Sequence, residues 1–231
     1  MINKLVVKKE LFDIYYELKN EYLFKDYILG GGTALALQIG HRTSTDIDIF
    51  TTNKKSNKDI LNKLNELYHT YYIINMSELV LETNIKNIKV DFINDNSNIL
   101  EIPKTNEKIT YFGIKDISAM KLRAILTRTK ARDYIDIAYL LKHIPLNKMF
   151  NNYKQKYKQD DITMIKIALS KCNTIPDNEW YKDINMLDNS IVLTNIPKLI
   201  NNELLRYNNK YIINTNIFNT IKDNVKKLRR K

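Results

Sequence analysis

The first half of the chain combines two hydrophobic periods, one typical of helices and one typical of strands. Apolar residues recur every three to four positions, as on one face of a helix, in 9–24, in 33–39 and after Ser56. Ser56 is a typical helix N-cap, and Gly40 is a typical helix stop. Alternating or β-branched runs predict strands at 27–29, 44–52, 71–74, 78–83, 88–93 and 108–113. We therefore expect a mixed α/β block.

The second half, which begins near residue 114, has a different pattern. No glycine or proline occurs from Asp116 to His143, and the whole stretch has a helical pattern. Further helices are predicted at 147–158, 160–171, 197–206 and 216–228. We therefore expect an α+β chain with two domains, a mixed-sheet domain at 1–114 and an all-helical domain at 115–231.

Candidate chemistry lies in a glycine-rich run and in the strand that follows it. The run Leu-Gly-Gly-Gly-Thr-Ala-Leu-Ala-Leu ends at Leu37, and its glycines let backbone N–H groups approach a phosphate at a helix N-terminus. Asp46 and Asp48 are two positions apart on a predicted strand, so both carboxylates leave the same face. A hard divalent ion such as Mg²⁺ or Mn²⁺ binds such oxygens together with phosphate oxygens. The combination predicts a metal–nucleotide site, and the alternative is a strand edge with two solvated aspartates.

These residues resemble a known signature. A Gly-Gly-Thr turn, a helix and an Asp-X-Asp pair resemble the motif of the DNA polymerase β-like nucleotidyltransferases. The fuller run is similar to the AbiEii/AbiGii abortive-infection toxin group in Gly31-Gly32-Thr33-Ala34-Leu35-Ala36, His41-Arg42, Ser44 and Asp46-Ile47-Asp48. The resemblance implies a polymerase β-like fold and transfer of a nucleoside monophosphate from an NTP to an acceptor hydroxyl. It also implies a toxin role, with a separately encoded antitoxin as partner.

A third carboxylate is expected from a strand beside the Asp-X-Asp strand. The best candidate is Asp91, within Val90-Asp91-Phe92-Ile93, because an acid among core-facing residues costs stability unless it has a partner. Metal ligation would supply that partner, and the resemblance implies the same assignment. A solvent-facing position at a sheet edge is the alternative, and Asp95, in a turn-like Asn-Asp-Asn run, is a weaker candidate. We predict that the metal ligands are Asp46, Asp48 and Asp91.

A cationic stripe is predicted on the long helix of the second half. At 100° per residue Lys121, Arg128 and Arg132 lie within roughly 40° of one another. Arg132 also stands four residues before Asp136 and can pair with it. A solvated stripe with salt bridges would show the same spacing. The run from Lys121 to Asp136 is, however, similar to a later motif of the AbiEii-like toxins, in which a lysine and an Arg-Asp pair face the nucleotide pocket.

The resemblance therefore implies roles for the matched residues. Lys121 would bind the triphosphate as a point charge, and the helical domain would close the cleft. Asp133 is a further candidate catalytic residue; whether Asp133 or Asp136 orients the acceptor or only holds an arginine stays open. The residues implied to bind the nucleotide are Gly31, Gly32, Thr33, Arg42, Lys121, Arg128 and Arg132.

Composition narrows the choice of partner. Lysine and arginine number 37 against 26 acids, a formal net charge of +11, which favours a polyanion such as RNA over a membrane. Lysine and asparagine are abundant throughout, so part of this charge is compositional, and the basic run at 226–231 is more simply a solvated terminus than an RNA contact. The single cysteine, Cys172, excludes an intrachain disulfide. No apolar run approaches the roughly 18 residues of a membrane span, so we expect a cytoplasmic protein without a membrane partner.

Charge and resemblance together predict an RNA acceptor, with the 3′ end of tRNA as the leading candidate. One alternative is a nucleotidyltransferase that modifies a protein hydroxyl or a small molecule such as an aminoglycoside. The other is a catalytically silent module that binds NTP or RNA. The intact Asp46, Asp48 and Asp91 argue against the silent module, and the basic charge favours RNA over a small molecule.

Overall fold

The computed structural model of the chain describes residues 2–210. Its α-helices are α1 (Lys9–Asn20), α2 (Gly31–Ile39), α3 (Asn57–Leu67), α4 (Ile114–Thr127), α5 (Ala131–Leu140), α6 (Leu146–Tyr157) and α7 (Thr163–Ser170). Its strands are β1 (Ile28–Leu29), β2 (Ile47–Thr51), β3 (Tyr71–Met76), β4 (Val80–Ile85), β5 (Ile88–Asn94), β6 (Lys104–Asn106) and β7 (Ile109–Tyr111). Residues 196–210 are also helical.

The strands form one seven-stranded sheet in the order β3-β4-β5-β2-β1-β7-β6. β2 runs parallel to β5 and β1 runs parallel to β7, while the other neighbouring pairs are antiparallel. Within residues 2–210, every secondary-structure element that follows β7 is a helix. The predicted α+β fold, a mixed sheet followed by a helical part, is confirmed. The division into domains 1–114 and 115–231 stays a prediction, and one cluster of buried apolar residues runs through both parts.

Local signals place several element ends correctly. The Ser56 hydroxyl accepts a hydrogen bond from the Asp59 N–H at 3.1 Å and caps α3. Gly40 ends α2 in the left-handed conformation, with φ of 68°. The predicted strands overlap β1 to β5 and β7, whereas β6 was missed because Lys104–Asn106 are polar and show no apolar alternation. The predicted helix at 216–228 and the basic run at 226–231 lie outside the described residues.

The prediction of one continuous helix over 116–143 is wrong, because the chain breaks between α4 and α5. Arg128 is extended, with φ of −151° and ψ of 151°, and Lys130 is extended as well. The break falls in the polar run Thr-Arg-Thr-Lys, which ends at Lys130 and offers no apolar side chain to bury. It turns the Arg128 guanidinium onto Asp133. The predicted stripe is therefore not one helical face, although its three cations reach the same cleft by separate routes.

Helix α4 lies at the centre of the molecule and packs against α2, α5, α6 and α7. Ile117, Leu122 and Ile125 are fully buried on it, and burial of each side chain of this size stabilises the fold by roughly 1.5–3 kcal/mol. Through α2, this helix fixes the sheet against the helical part.

The described helices include none that is both long and apolar enough to cross a membrane.

A buried ion pair fastens the loop after β5 to the helices. The Lys156 Nζ lies 2.8 Å from the Asp116 Oδ1 and 3.0 Å from the Asn98 carbonyl oxygen. Asp116 also accepts the backbone N–H groups of Leu100 and Glu101. Both charged side chains are almost completely buried, so losing either one would leave the other unpaired in the interior.

Replacing Lys156 by alanine should lower the free energy of unfolding by about 3–5 kcal/mol, because Asp116 would stay buried without its cation. Chemical denaturation of the wild-type and variant proteins measures the difference. Lys148→Ala is the matched control, since Lys148 is exposed on the same helix; it should change stability by less than about 0.5 kcal/mol. A small effect from both substitutions would show that the ion pair does not hold this loop.

Candidate active site

A cleft of about 440 Å³ lies between the sheet, at β2, β4 and β5, and helices α4 and α6. Most of the predicted site residues line it: Gly31, Gly32, Arg42, Asp46, Asp48, Asp91, Lys121, Arg128 and Arg132. The two others, Thr33 and Asp133, are fully buried and bonded to residues that line the cleft. Residues predicted from three separate stretches of sequence therefore meet in one place.

The glycine turn holds the first turn of α2 against the Asp48 carboxylate. Gly31 has φ of +62°, and a Cβ built there would lie 1.9 Å from the Asp48 Oδ2. A Cβ at Gly32 would lie 2.4 Å from the Arg42 Nη2. A side chain at either position would displace the carboxylate or the guanidinium, and at Gly31 the left-handed backbone conformation favours glycine as well. The unpaired N–H groups of the α2 N-terminus are thereby held at the cleft.

Thr33 supports the strand that carries the aspartates. Its hydroxyl donates a short hydrogen bond to the Asp46 carbonyl oxygen and lies 2.8 Å from the Ser44 Oγ. The side chain is fully buried, so in this conformation it fixes the start of β2. A contact between Thr33 and phosphate stays a prediction.

Asp48 and Asp91 are register partners on the parallel strands β2 and β5, so their side chains leave the sheet side by side on one face. Burial and the neighbouring Asp48 raise the pKa of Asp91 to about 7. Burial and the charge of Asp46 raise the pKa of Asp48. The Asp91 Oδ2 lies 2.5 Å from the Lys89 Nζ, whereas its Oδ1 is buried without a hydrogen-bond partner. The two carboxylates repel each other, and the Asp91 Oδ1 has no hydrogen-bond partner. Both features fit a bound cation.

Asp46 is turned towards a different partner. Its Oδ2 lies 3.3 Å from the Arg132 Nη1. Within residues 2–210, no three acidic, histidine or cysteine side chains are already arranged around a metal position. The donor chemistry of Asp48 and Asp91 still fits a hard cation, because carboxylate oxygens are the ligands that Mg²⁺ takes. Asp46 would complete the set by exchanging Arg132 for the ion, and its metal role stays a prediction.

Asp136 is the most heavily paired acid of the site. It is fully buried and accepts hydrogen bonds from the Arg42 Nε at 2.7 Å and the Arg42 Nη2 at 2.9 Å. The His41 Nε2 lies 2.8 Å away and the Lys121 Nζ lies 2.6 Å away. Burial alone would raise the pKa of Asp136, but Arg42 and Lys121 hold it well below its usual range. The predicted pairing of Arg132 with Asp136 is wrong, because Asp136 is occupied by these groups and Arg132 pairs with Asp46.

Asp133 is arranged in the same way. It is fully buried and accepts from the Arg128 Nε at 2.7 Å and the Arg128 Nη2 at 3.0 Å, with the Lys121 Nζ at 3.2 Å. Lys121 and Arg128 lower its pKa although burial opposes them. Both acids of α5 are thus occupied by cations, which favours the interpretation that they hold basic side chains in place.

Among the residues that line the cleft, Lys89, Arg123 and Tyr157 received no role from sequence reasoning. Lys89 had a usable signal, because it stands two positions before Asp91 on one strand and so shares its face. Arg123 lies within the run from Lys121 to Asp136 that is similar to the later toxin motif, but its contact with Tyr157 arises only through the packing of α4 on α6.

Comparison with known sequences places the chain in a family. The model of a family described as "Nucleotidyl transferase AbiEii toxin, Type IV TA system" matches residues 13–201. The uncharacterised protein aq_aa25 of Aquifex aeolicus (strain VF5) is 30% identical over 184 residues, which cover 77% of this chain and 88% of that protein. The matched family span includes every predicted site residue.

Comparison with solved structures supports the fold. JHP933 from Helicobacter pylori is similar with a TM-score of 0.53 at 18% identity, covering 94% of this chain and 99% of that one. MenT4, a nucleotidyltransferase toxin from Mycobacterium tuberculosis H37Rv, has a TM-score of 0.49 at 12% identity and covers 84% of this chain and 81% of its own. At 18% identity the likeness to JHP933 concerns the fold alone. The predicted polymerase β-like nucleotidyltransferase fold with a following helical part is confirmed.

Asp91→Asn should stabilise the metal-free protein at pH 8 more than at pH 5. A carboxyl group whose pKa is raised in the folded state loses stability as the pH rises from its unfolded pKa to its folded pKa, here from 3.8 to about 7. Asparagine removes that loss, so the advantage of the variant should grow by roughly 2–3 kcal/mol between the two pH values. Thermal or chemical unfolding in a chelating buffer tests this, and an advantage independent of pH would contradict the raised pKa of Asp91.

Proposed function

The chain belongs to the AbiEii nucleotidyl transferase toxin family of type IV toxin–antitoxin systems, and from this premise we propose that it transfers a nucleoside monophosphate from an NTP to an RNA hydroxyl, with the 3′ end of tRNA as acceptor. The acceptor oxygen forms a bond to the α-phosphorus, the bond between the α-phosphorus and the bridging oxygen breaks, and pyrophosphate leaves. We further propose that it acts in the cytoplasm and is opposed by a separately encoded antitoxin.

The observation that carries the proposal is the pair of carboxylates, Asp48 and Asp91, side by side in a cleft walled by cations. Asp48 and Asp91, joined by Asp46, would hold a divalent ion such as Mg²⁺ or Mn²⁺. When bound, such an ion neutralises developing phosphate charge and lowers the pKa of an attacking hydroxyl. Beside the ion, Asp91 would help to orient that hydroxyl and to accept its proton.

The triphosphate would lie over the glycine turn. The first turn of α2 offers backbone N–H groups, and Arg42 packs against Gly32 beside it. Arg128 and Arg132 are partly exposed at 43% and 39% of their side chains, so they can reach a ligand in the cleft. Lys121 is buried between Asp133 and Asp136 and supplies a fixed positive charge deeper in the cleft than the two arginines. Fixed cations of this kind stabilise the charge that builds on a transferring phosphoryl group.

An RNA acceptor is favoured by the charges beyond the nucleotide. A second cavity of about 550 Å³ adjoins the cleft at Arg132 and is also lined by Lys130 and Lys182. Both lysines are exposed, and the chain carries a net charge of +11. Glu179 and Asp183 also line this cavity, and Glu179 pairs with Lys182. The support for a phosphodiester backbone over a cationic small molecule therefore comes from Lys130, Arg132 and the net charge of the chain.

The proposed reaction is tested by incubating the full-length protein with Mg²⁺, each α-labelled NTP in turn and total tRNA. Label should appear on RNA and disappear after ribonuclease treatment. Asp48→Asn should lower the transfer rate at least about a hundredfold, because a lost metal ligand removes several kcal/mol of transition-state stabilisation. Label on protein would contradict the RNA acceptor, and near-normal transfer by a folded Asp48→Asn variant would contradict the assigned centre.

Lys121→Ala should reduce kcat/KM for the NTP about 10- to 100-fold, because removal of this charge would cost the bound phosphates about 1.5–3 kcal/mol of electrostatic stabilisation. Lys142→Ala is the control, because Lys142 lies just after α5, is exposed and pairs with Asp188 at 3.1 Å, outside the cleft. It should leave kcat/KM unchanged. Unfolding curves of both variants show whether Lys121→Ala is still folded at the assay temperature. Equal, mild effects of the two substitutions would mean that the helical part does not contribute to the nucleotide site.

A further inference from the structure

Arg123 differs from the other arginines of the cleft. Three of the four arginines that line it are paired with an acid: Arg42 with Asp136, Arg128 with Asp133 and Arg132 with Asp46. Among the described residues, Arg123 has no carboxylate within 4.0 Å. An unpaired guanidinium in a ligand-sized cleft keeps its N–H donors available for a ligand.

A tyrosine ring fixes this guanidinium in place. The Arg123 Cζ lies 4.5 Å from the centroid of the Tyr157 ring, so the cation rests on the aromatic face. Tyr157 is the last residue of α6, is half-buried, and packs on Tyr153 with ring centroids 5.0 Å apart. Burial and the nearby Asp95 raise the pKa of its hydroxyl, which stays protonated at neutral pH. The pair is therefore a supported surface with both an aromatic face and in-plane donors.

The cleft that holds this pair also has apolar side chains in its lining. Phe50, Ile93 and Met120 line it together with the glycine turn, the ion-paired arginines and the carboxylates. Binding sites for flat heteroaromatic groups combine apolar walls with a few placed polar groups. The cleft thus offers apolar surface and a stacked arginine in addition to its charged groups.

We infer that Arg123 stacked on Tyr157 forms a nucleobase-binding subsite within the cleft. A nucleobase would stack on the guanidinium–tyrosine surface or accept hydrogen bonds from the Arg123 N–H groups at its edge, as bases do on aromatic and arginine side chains. The inference rests on the proposed function, since it assigns a base to the cleft in which the reaction would occur. The base belongs either to the NTP or to the terminal nucleotide of the acceptor.

Binding measurements on the full chain distinguish these sources. Calorimetry in the presence of Mg²⁺ compares three kinds of ligand: each NTP, inorganic tripolyphosphate, and a single-stranded RNA with or without its 3′-terminal base. Arg123→Ala and Tyr157→Leu should weaken the base-containing ligand about tenfold and leave tripolyphosphate unchanged. Tyr157→Phe should bind as the wild type does, because it keeps the ring. A loss confined to NTPs assigns the subsite to the NTP base, and a loss confined to RNA that retains its terminal base assigns it to the acceptor.

The control is Arg206→Ala, because Arg206 is exposed and pairs with Glu203 on the helical segment 196–210; it should change none of the affinities. Equal weakening of tripolyphosphate and NTP by Arg123→Ala would overturn the subsite, because Arg123 would then be a phosphate ligand. If Arg123→Ala and Tyr157→Leu bind every base-containing ligand as the wild type does, the subsite is also overturned. The proposed function would not be affected by that result. A wild-type protein that binds neither NTP nor RNA would overturn both.

Discussion

The fully buried carboxylate of Asp136 joins the two halves of the chain at the cleft. It lies on α5 and holds Arg42 and His41 from the segment before β2, together with Lys121 from α4. A buried ion pair of this kind adds little net stability, because desolvation of the charges offsets their attraction. Its effect is geometric. With these contacts made, Arg42 lies against Gly32, and the first turn of α2 faces the aspartates of β2.

The acids of the site separate into two groups with opposite electrostatics. Asp133 and Asp136 are buried among cations, which lower their pKa values. Asp48 and Asp91 are side by side on the sheet, and their pKa values are raised by burial and by neighbouring carboxylates. The first group holds basic side chains in place and has little further capacity to bind a cation. The second group is destabilised until a cation or a proton arrives, as expected of groups that bind a ligand.

The break between α4 and α5 has a functional consequence. A continuous helix would have placed Lys121, Arg128 and Arg132 in one row on one surface. Because the chain is extended at Arg128, these side chains instead approach the cleft from different depths. Lys121 is buried, whereas Arg128 and Arg132 are partly exposed. The cleft thus has a buried inner positive charge and two partly exposed outer arginines, each paired with an acid.

Local sequence patterns determined the elements and the position of the chemistry within them. Residues two apart on a strand share a face, which predicted Asp46 and Asp48 side by side, although β2 begins at Ile47 and Asp46 turns to Arg132. The helix ends at Gly40 and Ser56 follow from the backbone preference of glycine and from the capping hydroxyl of serine. The assignment of Asp91 needed a further assumption, that its strand lies beside β2, and the sheet order bears this out.

Tertiary structure alone decided which charges meet. The pairing of Arg132 with Asp46, the pairing of Asp136 with Arg42 and the stacking of Arg123 on Tyr157 join residues far apart in the chain or on separate elements. Such contacts depend on how the helices pack against the sheet and on which acid lies nearest to each cation in the folded chain. Helical periodicity describes only neighbours within one helix, so it predicted a pairing of Arg132 with Asp136 that the packed structure replaces.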